Sequence, residues 1–301
     1  MSQPLLPGHE RIVVGVHDSD SSWAAVRLAA REAAAQHRPL RLLHALNWIP
    51  DDLSTGEEPV PDAQQLIDRA VQVVAEAAPG LEVTAELSEN APATALLRES
   101  RMASLVVIGD GDLARWTCLP LDALAVQIAA RADCSVLVAR CRAEEATNAA
   151  TGTGTEPTSD TEAYDGPVVV GVDGSAGSER ALGFAFDTAA ARRSELIVVR
   201  AWESELSWAD ASPDTGGELA DTLAPWQEKH PDVPVRQQVV SGAPAQVIIE
   251  RSVHAGLVVV GARGDHPLRV PLGAVSQAVL HHARCPTAIV RECAPPPTAG
   301  D

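Results

Sequence analysis

Leu257-Val-Val-Val-Gly261 is a short, uninterrupted β-branched run closed by a glycine. With no polar alternation, such a run is buried on both faces, as a central strand of a parallel sheet is. The same phrase stands earlier in the chain as Leu105-Val-Val-Ile-Gly109. Working outward, Pro167-Val-Val-Val-Gly-Val172 repeats Arg11-Ile-Val-Val-Gly-Val16, Ser241-Gly-Ala-Pro244 answers Glu89-Asn-Ala-Pro92, and Ala283-Arg-Cys285 answers Ala132-Asp-Cys134. The offset lies between 151 residues (Cys134 to Cys285) and 156 (Arg11 to Pro167). A period that long marks a duplicated domain, since solenoid and propeller units are far shorter.

Each copy alternates strand and helix. After the opening strand, alanine-rich segments at Ser21 to Gln36 and Ser178 to Arg193 carry the apolar spacing of amphipathic helices, with Ser22 and Ser178 as expected N-caps. Second strands follow at Leu40 to Ala45 and Glu195 to Ala201, then helices at Asp62 to Ala77 and Gly217 to Glu228. Third strands at Glu82 to Leu87 and Val235 to Val240 lead to helices opened by Pro92 and Pro244, where proline suits the first turn. Beyond the apolar runs come helices at Ala123 to Arg131 and Ala274 to Ala283 and last strands at Ser135 to Ala139 and Thr287 to Arg291. The pattern predicts the α/β class: two tandem domains, each a doubly wound, five-stranded parallel sheet. The expected boundaries are 10–142 and 166–293, joined by a flexible acidic linker at 143–165 and followed by a loose tail at 294–301.

Composition narrows the function classes. Aromatic residues make up only 3% of 301 residues while 46% are hydrophobic, so the core is aliphatic. A net charge of -18 argues against nucleic acid and against anionic membranes as partners. The five cysteines form no Cys-x-x-Cys pair, which indicates a reducing compartment. Met1 to His9 has neither a basic start nor an apolar run, and no segment approaches the roughly 20 apolar residues of a spanning helix. A cytoplasmic protein is expected.

Taken in order and at their spacing, Val-Gly-Val-Asp173-Gly-Ser175, Gly242-Ala-Pro244, Val-Val-Gly261-Ala-Arg-Gly264, Gly273-Ala-Val-Ser276, Ala-Arg-Cys285-Pro286 and Ile289-Val-Arg291 resemble the universal stress protein family in its tandem form. The resemblance covers nearly everything except linker and termini. It implies Rossmann-like domains that, in many members, bind ATP through Gly-x2-Gly-x9-Gly-Ser/Thr after the fourth strand. It also implies that an acidic residue at the end of the first strand contacts the nucleoside and that backbone at the end of the second meets adenine. Carried to this chain, the cofactor-binding residues are Val172, Asp173, Ala201, Gly261, Arg263, Gly264, Gly273, Ala274, Val275 and Ser276. The resemblance further implies that the last strands of the two domains pair, giving an internal pseudo-dimer; a homodimer of whole chains is also compatible with it.

Independent physical reasoning agrees with that placement. Glycines admit backbone amides to phosphate oxygens, and a following helix offers its positive end. The second copy departs from the pattern in two ways: eight residues rather than nine separate Gly264 from Gly273, and Ala274 replaces the hydroxyl residue. Ser276, Arg263 and Arg269 are the candidates to compensate, while Pro267 and Pro271 restrict the loop. In the first copy, Asp112 and Asp122 occupy the second and third glycine positions and His17 replaces Asp173. Carboxylates there repel phosphate, so ATP is expected in the second domain only.

Other chemistry finds little support. Asp110, Asp112 and Asp122 lack calcium-loop spacing, and the adjacent His281 and His282 point to different helix faces, so no metal is expected. Gly174-Ser175-Ala-Gly177 is out of register for a nucleophile elbow, and Ser175 reads as a turn or cap residue. Cys134 and Cys285 read as buried filler, whereas Cys118 and Cys141 lack a counterpart in the other copy; Trp202, next to Ala201, is a candidate border of an adenine pocket. Without a general base or metal clamp the expected protein is no enzyme, a weak ATPase being the residual catalytic reading. Two functions remain: a stress-response or signalling regulator that takes up nucleotide, and a nucleotide-independent module that docks unknown proteins.

Overall fold

The computed structural model describes residues 11–46, 63–111, 123–140, 166–202, 215–264 and 271–292. The linker and tail expected at 143–165 and 294–301 lie outside them. So do Asp112, Asp122, Pro267, Arg269, Cys118 and Cys141.

The first domain runs β1 (Arg11–Gly15), α1 (Asp20–Ala35), β2 (Leu40–Ala45), α2 (Ala63–Ala77), β3 (Val83–Ser88), α3 (Pro92–Ser100), β4 (Ala103–Gly109), α4 (Leu124–Arg131) and β5 (Ser135–Ala139). The second runs β6 (Val168–Gly171), α5 (Ala176–Arg192), β7 (Leu196–Trp202), α6 (Thr215–Lys229), β8 (Val235–Ser241), α7 (Pro244–Arg251), a short 3-10 turn, β9 (Leu257–Gly261), α8 (Ala274–His282) and β10 (Thr287–Val290). Within each domain all strand pairs are parallel.

The ten strands form one sheet in the order β3-β2-β1-β4-β5-β10-β9-β6-β7-β8. The junction is antiparallel, with Val138 opposite Thr287, Leu137 opposite Ala288 and Val136 opposite Ile289. The order reads alike from either end, which gives the halves an approximate two-fold relation. Because side chains alternate across a strand, Ile12 and Val14 join the apolar layer under α1, α2, α5 and α6, while Val13 joins the layer under α3, α4, α7 and α8. Both layers contain residues of both domains, so the core continues across the seam. Among the described residues, no helix is long and apolar enough to cross a membrane.

The expected caps need correction. Ser19 and Ser175, three residues ahead of Ser22 and Ser178, cap α1 and α5; their hydroxyls accept from the amides of Ser22 (3.3 Å) and Ser178 (3.1 Å). Both helices start earlier than the alanine spacing suggests: behind the extended serine caps, Asp20 in α1 and Ala176 and Gly177 in α5 are already helical. Ser22 and Ser178, buried in the first turn, donate back to the carbonyls of Gly15 and Ser175.

Candidate functional site

The strand order of the second domain reverses between β9 and β6, and a crevice opens beyond strand carboxyl ends at such a switch point. Here it is a cavity of about 520 Å³. All ten residues inferred from sequence, Val172, Asp173, Ala201, Gly261, Arg263, Gly264, Gly273, Ala274, Val275 and Ser276, line it. Trp202 does not contribute to the lining. Three loops separated by dozens of residues converge because β6, β7 and β9 run in parallel and end together.

The end of β6 supplies a carboxylate. After Val172 the chain turns at Gly174, whose φ of +84° favours glycine, and Ser175 opens α5. The Ser175 amide (3.0 Å) and hydroxyl (2.6 Å) both donate to Asp173 Oδ1. Desolvation by the surrounding protein pushes the Asp173 pKa up, but the bonds from Ser175, then those from Ser178 and its own amide, prevail and hold it below the usual aspartate value. Asp173 is an anion on the rim, with a hydrogen-bonded carboxylate suited to accept from hydroxyl groups.

The start of α8 makes another part of the lining electropositive. Helix α8 begins at Ala274 with Gly273 as N-cap, and no side chain caps it. Its first-turn amides have no intrahelical acceptor and carry the positive end of the helix dipole. Exposed Arg263 stands beside them. The charge of Arg291, at the end of β10, is disfavoured first by burial and then by Arg263, with Asp133 and Cys134 opposing. Val199, Ala201, Ile248, Val260 and Leu272 make an apolar floor. A ligand with a flat apolar body, hydroxyls in the middle and an anionic end matches this distribution.

The glycines divide by role. A Cβ on Gly261 would meet the Gly177 backbone at 2.8 Å, and one on Gly109 would meet the Ser21 backbone at 2.6 Å. This glycine therefore serves helix-on-strand packing in both copies. A Cβ on Gly264 would press on Asp173 Oδ2 at 2.7 Å, so that bare position keeps room for the carboxylate. At Gly273 a Cβ would meet only ordinary contacts, the nearest being the Ala262 carbonyl at 3.5 Å. Ser276 is buried and donates to the Gly261 carbonyl at 2.6 Å, so its proton is committed within the fold rather than held ready to replace the hydroxyl missing at Ala274.

Sequence reasoning missed nine of the nineteen lining residues: Gly171, Ser175, Ser178, Val199, Pro244, Ile248, Val260, Leu272 and Gln277. A Cβ on strand-ending Gly171 would lie 2.5 Å from Ile248 Cδ1, so that glycine seats the side chain. In the first domain, His17 stands at the place of Asp173. Burial and then His44 lower its pKa against the opposing pull of Asp18. Asp110 is buried, 3.8 Å from Arg140, and no metal-holding cluster of His, Cys, Asp or Glu occurs among the described residues.

Two parallel α/β halves fused into one sheet, one of them with a polarised crevice at its switch point, define a tandem Rossmann-like protein with a ligand-sized cavity. The chain belongs to the universal stress protein family: the profile described as "Universal stress protein family" matches residues 8–140 and again 166–291. It is 35% identical over 302 residues to universal stress protein Rv2005c of Mycobacterium tuberculosis, covering 93% of this chain and 97% of that one. To a universal stress protein of Mycolicibacterium smegmatis it is 31% identical over 303 residues, covering 93% and 96%. Among solved structures, a universal stress protein of Archaeoglobus fulgidus superimposes with a TM-score of 0.64 at 15% identity, covering 94% of this chain and 98% of that one. That likeness concerns the fold.

Proposed function

We propose that the second domain binds an adenine nucleotide, ATP, and that the protein is a non-catalytic regulator of the stress response whose first domain is a structural partner. The observation that carries this reading is what one cavity brings together: an apolar floor, the Asp173 carboxylate against Gly264, and the uncapped α8 amides with Arg263. Adenine lies on the floor, ribose hydroxyls donate to Asp173, and phosphates meet the amides at Ala274, Val275 and Ser276. No general base or bound metal is needed for this role.

The same helix gives occupancy a route to the other domain. The Leu280 carbonyl of α8 accepts from Arg140 at the end of β5. Reciprocally, Arg291 donates to the Ala129 carbonyl of α4 at 2.6 Å. A shift of α8 on nucleotide uptake is thereby felt at the seam of an internal pseudo-dimer. The rival reading, a docking module without nucleotide, draws on Ala274 and on the committed Ser276 hydroxyl, both of which weaken the phosphate grip. Isothermal titration with ATP, ADP and AMP separates the two. Saturable heat supports the proposal, and no heat up to the millimolar range transfers the case to the rival.

A further inference from the structure

The seam between the domains holds a charge arrangement that the internal repeat does not share. Glu32 of α1 is 3% exposed and Arg192 of α5 is 11% exposed at the side chain. Arg192 Nε donates to Glu32 Oε1 at 2.7 Å, Nη2 reaches the same oxygen, and Nη1 donates to the Gly256 carbonyl at 3.4 Å. Gln36 Nε2 donates to the other carboxylate oxygen at 3.2 Å. The pair is buried and joins α1 to α5 across the seam.

The matching N-caps Ser19 and Ser175 place Glu32 level with Thr188 and Gln36 level with Arg192. Related surfaces meeting about a two-fold axis let each position on one half meet its counterpart's neighbour on the other. If two first domains met this way, each Glu32 would face Gln36, and two carboxylates would be buried with no cation. If two second domains met, each Arg192 would face buried Thr188 with no anion. Only a first domain against a second domain neutralises both. Burying an unpaired charge is far more costly than forming the pair is favourable, so the pair acts chiefly by penalising wrong partners. The reciprocal arginine bonds to the carbonyls of Leu280 and Ala129 lack this selectivity, because backbone acceptors are available in any combination.

We propose that Glu32 and Arg192 form a pairing code: this seam accepts a first domain only against a second domain, in the same chain or in another copy, and rejects like against like. The code does not depend on what fills the cavity. Reversing one charge puts two arginines (Glu32→Arg) or two glutamates (Arg192→Glu) at the seam within a chain, while the two variants complement each other between chains. In a Glu32→Arg chain beside an Arg192→Glu chain, crossed pairing restores one native and one reversed ion pair.

Full-length chains, one of them tagged, are co-expressed and analysed by capture and by light scattering. The tagged Glu32→Arg chain is expected to capture Arg192→Glu at least tenfold more than untagged Glu32→Arg or wild type, in a species of twice the mass of one chain. The double variant Glu32→Arg/Arg192→Glu, with the pair reversed in one chain, is expected to recover the wild-type mass and unfolding midpoint. Equal capture of all chains overturns the code. So does a double variant no more stable than the worse single variant, an outcome that can be read even where a single variant fails to fold.

Discussion

Replacing Gly273 with aspartate sets fold stability against ligand binding. The position is extended, at φ -70° and ψ 155°, and a Cβ meets nothing nearer than 3.5 Å, so the backbone tolerates the change. Aspartate is a favoured N-cap, and its charge complements the helix dipole; together these should raise stability by about 0.5–1 kcal/mol. The same carboxylate takes the first-turn amides and lies about 4 Å from a bound phosphate. At an effective dielectric of about 20 the repulsion is about 4 kcal/mol, nearly a thousandfold in affinity. Gly273→Asn separates the causes: it caps without charge, so it should lose only about tenfold, the worth of a net hydrogen bond or so. Titration calorimetry reads the affinities and denaturant unfolding the stabilities. Nucleotide affinity within threefold of wild type in a folded Gly273→Asp protein would refute the placement of phosphate at α8.

Other changes test separate links. Gly261→Ala drives a Cβ into the Gly177 backbone and should cost about 1–3 kcal/mol in chemical denaturation, whereas Gly273→Ala should stay near wild type; equal effects would remove the packing role given to Gly261. Arg193 and His37 follow α5 and α1 in the left-handed region, at φ 54° and 53°, so Arg193→Gly and His37→Gly should each stabilise by about 0.5–1 kcal/mol, and a loss at both sites would contradict this. Asp173 has a lowered pKa in the fold, so its contribution to stability is present above the unfolded value of about 3.9 and fades as pH falls through the folded one. The difference between wild type and Asp173→Asn in unfolding midpoint should therefore shrink between about pH 6 and about pH 3, and a difference that grows on acidification would reverse the assignment.

Much of the molecule is legible in one dimension. Runs such as Leu257 to Gly261 give strands buried on both faces, the alanine-rich segments give helices to within a few residues, and the recurrence of both gives two domains. Ten of the nineteen lining residues could be gathered from three distant loops because parallel strands end on one side by topology alone. The caps at Ser19 and Ser175 were less visible, since Ser19, Ser21 and Ser22 are chemically alike and only backbone geometry selects among them. Nothing along the chain marks the Ser276 hydroxyl as occupied, because its acceptor, the Gly261 carbonyl, is fifteen residues away.

The sequence by itself determined the duplicated α/β plan, the aliphatic core and the candidate residues, because strand burial and helix amphipathicity are periodic and local. Only the tertiary structure decided which glycine makes room for a helix and which for a carboxylate, and that Glu32 finds its counter-ion in Arg192. These depend on atoms brought within a few ångströms from positions far apart in the chain, and no pattern along the sequence encodes such a distance.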